Sequence, residues 1–184
     1  MEISYRIVRS NRKSLGLEIN EKGLTIRAPK RASDREIKKF LLDNEDWVIR
    51  NLEKYKQRKE KYEGIEKLTE AELNDLAEKA LQYIPERVKY YAPLVGVTYG
   101  RITIRNQKTK WGSCSSKGNL NFNCLLMLTP PEVIDSIVVH ELCHRKEMNH
   151  SSRFYDEVLK VYPDYKKWNK WLKENGDKIM YRMR

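Results

Sequence analysis

"VVHELCHRKEMNHSSRF", residues Val138 to Phe154, contains all three histidines of a 184-residue chain. His140 and His144 are four apart, and at that spacing side chains on an α-helix lie one above the other on one face. His150 follows six residues later. On a continuing helix it would face about 240° away, so it joins the other two only if the helix stops and the chain doubles back. Asn149 offers a left-handed residue for that reversal, and the "HSS" after it can start the next helix.

Upstream, "TPPE" marks a helix start, with Thr129 as N-cap, Pro130 at the first helical position and Glu132 placed for a capping box. "VIDSIVVHELCH" is apolar around most of its circumference, which predicts a buried helix. Downstream, "SSRFYDEVLKVY" and "DYKKWNKWLKENG" read as two more helices, the second with Tyr165, Trp168 and Leu172 on one face. Before the histidine helix, "KTKWGSCSSKGNLNFNCLLML" reads as a hairpin around Ser115 to Asn119, its second strand running on into "CLLML". "VTYGRITIRN" reads as a strand. Thr69 caps a predicted helix in which Pro85 marks a kink or a restart.

The first thirty residues alternate like strands, "ISYRIV", "LGLEIN" and "LTIRAP", with a hairpin turn at Asn20 to Gly23. Ser33 then caps one or two helices carrying Ile37, Phe40, Leu41, Trp47, Val48 and Leu52 at helical spacing, ending in the charged "KYKQRKEKYEG". The expected organisation is a small β-plus-helix element over residues 1–66 and a larger α+β domain over residues 67–184.

Composition narrows the setting. No run approaches the roughly 18 consecutive apolar residues of a membrane-spanning helix. The N-terminus lacks the pattern of a signal peptide. Cys114, Cys124 and Cys143 are odd in number and have no CxxC spacing, which fits free thiols in a reducing cytoplasm. The net charge of +11 attracts polyanions, nucleic acid above all. Nothing in the sequence sets an oligomeric state.

H-E-x-x-H on a helix lets two imidazoles hold one metal ion, as in zinc peptidases. Glu141 lies about a quarter-turn round, within reach of a metal-bound water without ligating the metal. Zn²⁺ lowers the pKa of such a water toward ~7, and a carboxylate alongside takes its proton as it attacks a carbonyl. Cys143, three residues from His140, falls off the metal face and reads as a packing residue. If a glutamate rather than His150 completes the site, Glu157 and Glu174 are the candidates.

"HELCHRKEMNHSSRF" resembles the zincin metallopeptidases, most closely the YgjP-like family. "KWGSCSSKGNLNFN", "NHSSRFYDEVLKVYPDYK" and "IRAPKRASDREIKKFL" are similar to other segments of that family. The SprT-like and WLM-type peptidases share the later His followed four residues on by Phe, here His150 and Phe154. The resemblance implies a zincin-like domain with an antiparallel sheet and an HExxH helix. It also implies one Zn²⁺ per chain held by His140, His144 and His150, Glu141 as general base, and a protein or peptide substrate, in some relatives one associated with DNA. Two features depart from related patterns. Glu147 stands where the metzincin form has Gly, and Arg145 and Lys146 are charged where many zincins are not.

An extended substrate commonly adds to an edge strand. "GNLNFN", with Asn119, Asn121 and Asn123 alternating against Leu120 and Phe122, is the expected edge. Tyr155, Tyr162, Tyr165 and Arg153 are the candidates for stabilising an oxyanion. The competing reading is a basic nucleic-acid-binding module with a structural three-histidine metal site. Glu141 separates the two, because a structural site has no use for a carboxylate beside the metal.

Overall fold

The alternating N-terminal segments form three strands, β1 (Tyr5–Ser10), β2 (Gly16–Asn20) and β3 (Gly23–Pro29). Their sheet has the order β1-β3-β2, with β1 parallel and β2 antiparallel to β3. The computed structural model describes residues 4–20 and 22–183, so the turn expected at Asn20 to Gly23 includes Glu21, which lies outside the described residues. Asn20 and Gly23 themselves pair. Ser33 caps α1 (Asp34–Asp43), accepting from the Glu36 amide while the Glu36 carboxylate accepts from the Ser33 amide. The helical stretch breaks at Asn44. It resumes as α2 (Glu45–Lys61), which takes in most of the charged segment. Ile26, Ala28 and Ile37 make a small core, flanked by Tyr5, Leu15, Leu17, Ala32 and Leu41.

The chain divides into two compact units, Met1–Gly64 and Ile65–Arg184. The second opens with α3 (Glu70–Val95), started by a Thr69–Glu72 capping box and ended at Gly96, whose φ of 75° is left-handed. Pro85 neither ends nor restarts α3. Then come β4 (Ile102–Arg105), β5 (Gly112–Cys114) and β6 (Leu120–Asn123), followed by α4 (Pro131–Cys143), α5 (Ser152–Val161) and α6 (Tyr165–Tyr181). "CLLML" is a 3-10 turn and does not continue the strand.

The expected all-antiparallel sheet is mixed. Its order is β4-β6-β5, with β4 parallel and β5 antiparallel to β6. The expected edge strand "GNLNFN" is therefore the central one, paired on both sides, and the edges belong to β4 and β5. Asn123 is fully buried and acts as a brace. Its side-chain amide donates to the carbonyls of Gln107 (2.6 Å) and Lys110 (2.9 Å), and its oxygen accepts from the Leu125 amide at 3.1 Å. Asn119 accepts from the Arg101 amide, while Asn121 accepts from Arg105 and donates to Ser113.

Helix α4 lies in the larger core, where Val133, Val138, Val139, Leu142 and Cys143 are all fully buried. Its start differs from the expected cap. Pro130 takes the N-cap position in an extended conformation, and the Thr129 hydroxyl donates back to Leu126 O at 2.7 Å, so no capping box forms with Glu132. Asp135 ties α4 to α3 by accepting from Arg87 Nε (2.7 Å), Arg87 Nη2 (2.9 Å) and the Tyr91 hydroxyl (3.2 Å). Among the described residues no helix is long and apolar enough to cross a membrane.

Truncating Asn123 to Ala strands a buried amide and two carbonyls, and should lower the unfolding free energy by about 3 kcal/mol. Urea unfolding at unchanged m-value is the check; a loss below about 1 kcal/mol would show that the loop before β5 does not depend on this brace.

Candidate metal centre

The burial of α4 and its abrupt end bring the histidines together. The helix finishes at Cys143 with His144 as C-cap, and the Arg145 and Lys146 amides donate to Leu142 O and Cys143 O in a tightened last turn. His144 Nδ1–H donates to the Glu147 carbonyl at 3.1 Å. Asn149 is not left-handed; no described residue other than glycine has positive φ. The chain instead reverses through these short turns and a Ser151 amide bond to Asn149 O, and Ser151 caps α5.

The reversal places His150 Nε2 3.0 Å from His140 Nε2. One ring nitrogen from each of the three histidines lies within 4.8 Å of the others. Tetrahedral Zn–N bonds of about 2.0–2.1 Å would set such nitrogens ~3.3 Å apart, so the observed spacing fits a single small cation. The bond to Glu147 O fixes the His144 proton on Nδ1 and leaves Nε2 as a lone pair. Phe154, fully buried, has its ring 4.6 to 4.9 Å from all three imidazoles and stacks on His144. Burial, together with the neighbouring His144 and His150, pushes the His140 pKa down to about 3, keeping the ring neutral. Burial also lowers that of His144. His150 is exposed, so the site opens to solvent on its side.

Glu141 is 5% exposed and lies against the backbone of β5. A methyl group at Gly112 would come within 2.6 Å of Glu141 Oε1 and 2.8 Å of its Cγ, so only glycine lets this strand approach. Burial pushes the Glu141 pKa up to about 8, with the Lys110 charge pulling it back down.

A family model described as "YgjP-like, metallopeptidase domain" matches residues 13–75 and 64–175. The chain belongs to the YgjP-like family. It is a metallopeptidase of α+β fold. No curated protein matches it. Similar crystal structures include two of metallopeptidase zymogens. The first is abylysin of Pyrococcus abyssi, 24% identical over 50% of this chain and 93% of that one, with a TM-score of 0.45. The second is jannalysin of Methanocaldococcus jannaschii, 21% identical over 50% and 95%, also at 0.45.

The other candidates in this YgjP-like chain are dispersed. Tyr165 is buried behind His140, its hydroxyl 2.9 Å from Nδ1 and its ring stacked on the imidazole. The Tyr162 hydroxyl donates to Glu132 O at 2.9 Å. Arg153 lines a charged hollow with Lys146, Glu147, Asp156, Glu157 and Lys160. Tyr155 is 38% exposed, with its ring 6.2 Å from that of His150. Glu157 is engaged by Lys146 and Lys160, and Glu174 lies 3.9 Å from Lys170; neither joins the histidine cluster. Sequence reading had missed the Gly112 contact and the Tyr165 bond. Gly112 stood in the quoted "KWGSC", but nothing in the sequence set that strand against Glu141.

The folded chain holds the Glu141 proton more tightly than the unfolded chain, whose carboxyl titrates near the usual 4.5. Its contribution to stability is therefore full below that value and lost as pH rises through about 8. Glu141→Gln has no such loss. The stability of the metal-free variant minus that of the metal-free parent should grow from about pH 5 to about pH 8 and then level off, as read by urea unfolding. A flat difference would show that Glu141 ionises freely in the fold.

Proposed function

We propose that this chain is a zinc-dependent peptidase in which His140, His144 and His150 hold the metal and Glu141 is the general base. The observation that carries the reading is the convergence of three imidazoles at the open end of α4, with a buried carboxyl on the next residue of the same helix. When bound, Zn²⁺ supplies a Lewis acid that polarises the scissile carbonyl and acidifies water toward ~7. Burial holds Glu141 protonated while the site is empty; a cation beside it would favour the carboxylate, which can then take the proton from the attacking water and pass it to the leaving amine. Gly112 lets β5 approach closely enough to keep that carboxyl shielded from bulk solvent. Of the four oxyanion candidates, Tyr155 is the one both exposed and beside a histidine, and is assigned that role. The peptide adds to the free edge of β5, which replaces β6 as the docking strand.

Tyr165 orients His140. With His140 Nε2 given to the metal, Nδ1 carries the proton and donates to the Tyr165 hydroxyl. Three free cysteines support a reducing compartment such as the cytoplasm. For association with nucleic acid the support is the net charge of +11 alone. A structural three-histidine module would have no need of Glu141 held against Gly112.

Protein purified without added metal should carry one zinc per chain, and His150→Ala should lose most of it. Glu141→Gln should keep the zinc and lose peptide hydrolysis by about 100- to 10,000-fold. An absence of zinc even after remetallation would sink the reading, and full retention in His150→Ala would move the third ligand elsewhere. Tyr165→Phe keeps the ring packed and removes the acceptor. It should raise the zinc Kd by about 10- to 100-fold in chelator competition, whereas an unchanged Kd would make Tyr165 a packing residue only.

A further inference from the structure

Resting on the peptidase reading above, we infer that the peptide docking along β5 is acidic, recognised by cations fixed at both ends of that edge. Between residues 96 and 131 the sequence has no Asp or Glu, yet contains Arg101, Arg105, Lys108, Lys110 and Lys117. All three strands of this sheet fall within that stretch. Elsewhere in the same unit cations meet carboxylates: Arg87 with Asp135, Lys79 with Asp75, Lys146 and Lys160 with Glu157, and Lys170 with Glu174. Lys110 and Lys117, at the two ends of β5, are the cations of this stretch that bear on the docking edge.

Two of its cations bracket the edge strand. Lys110 precedes Gly112 by two residues, and its carbonyl is held by the buried Asn123. Lys117 lies in the turn at the other end of β5. That turn is closed by the Gly118 amide on Ser115 O (2.8 Å) and the Ser115 amide on Asn119 O (2.9 Å), and braced by Arg145 Nη1 on Ser116 O (3.1 Å). Both lysines are exposed, and neither pairs with a carboxylate among the described residues.

The three residues of β5 span roughly 10 Å, so a peptide of about five to seven residues places one side chain near each lysine. The loop and helix after His144 carry both signs, in Lys146, Glu147, Arg153, Asp156, Glu157 and Lys160, and set no preference of their own. An edge of unpaired backbone groups suits a peptide better than a polynucleotide. Trp111, the aromatic residue next to this edge, is partly buried and packs toward Gly176.

The test uses peptides with one common centre and flanks of Asp/Glu, of neutral residues, or of Lys, given to the zinc-loaded protein. The kcat/KM should fall in that order, by about tenfold from acidic to basic, with the gap narrowing at high salt. The double variant Lys110→Glu, Lys117→Glu should invert the order, while Lys173→Glu, far from the edge in sequence and on α6, should preserve it. Binding of the same labelled peptides to zinc-loaded Glu141→Gln reads the edge without turnover. Cleavage with no charge order, or an equal shift in Lys173→Glu, overturns this inference alone. Acidic-selective binding without any cleavage by the parent overturns the peptidase reading alone; equal binding without cleavage overturns both. An oligonucleotide released by the double variant, with peptides unordered by charge, would assign the edge to nucleic acid and overturn the inference.

Discussion

The hydrogen bond from His144 Nδ1 to the Glu147 carbonyl lies at the centre of this fold's chemistry. It fixes the imidazole proton on the side away from the other histidines, and it closes the turn that ends α4. A helix continuing past His144 would carry His150 to the opposite side. A helix ending earlier would lose the edge-to-face approach of His140 and His144. The same side chain is thus both a prospective ligand and the clasp of the reversal that delivers the next one. The stop needs no glycine here, because tightened turns and a side-chain bond take the place of a left-handed residue.

Around that point, burial sets the state of each group. His140 is kept neutral by lack of solvent, which leaves its nitrogen ready for a cation, while the same lack of solvent keeps Glu141 protonated far above the usual range. Two groups of opposite acid–base type are pushed in opposite directions by one environment. A cation entering the cluster would reverse both tendencies, because it favours lone pairs and negative charge alike. The metal-free site is therefore electrically quiet at its buried end, holding a neutral His140 beside a neutral carboxyl.

Much of this was legible in the sequence. Spacing put His140 and His144 on one face, and the apolar run around them marked α4 as buried. The helices after His150 and the Thr69 and Ser33 caps likewise follow local rules. What was not legible depends on pairing across distance. Alternation identifies β6 as a strand, but alternation is the same for an edge strand and a central one whose outer face is polar, so it cannot separate asparagines that meet a substrate from those that brace the sheet. Asn123 turned out to be buried, satisfying backbone groups of a loop more than a dozen residues upstream. The Thr129 cap failed for a local reason: its hydroxyl found the carbonyl of the preceding 3-10 turn first. Tyr165 was chosen as one of eleven tyrosines, and only the docking of α6 shows which nitrogen it meets.

Helix α6 also closes the second unit on itself. The Leu68 amide donates to Arg182 O at 2.8 Å, Lys67 Nζ to Tyr181 O at 2.7 Å, and Arg182 Nε to Glu66 O at 3.3 Å. The last two contacts join residues 114 and 116 positions apart, among the most costly in loop entropy to form. The helix that makes them also brings Tyr165 to His140. During folding, then, His140 and His144 can come together as soon as α4 forms, but the ring of His140 acquires its final orientation only when the two ends of the unit meet. Metal competence is a late property of this chain, and a partly folded molecule would hold its cation loosely.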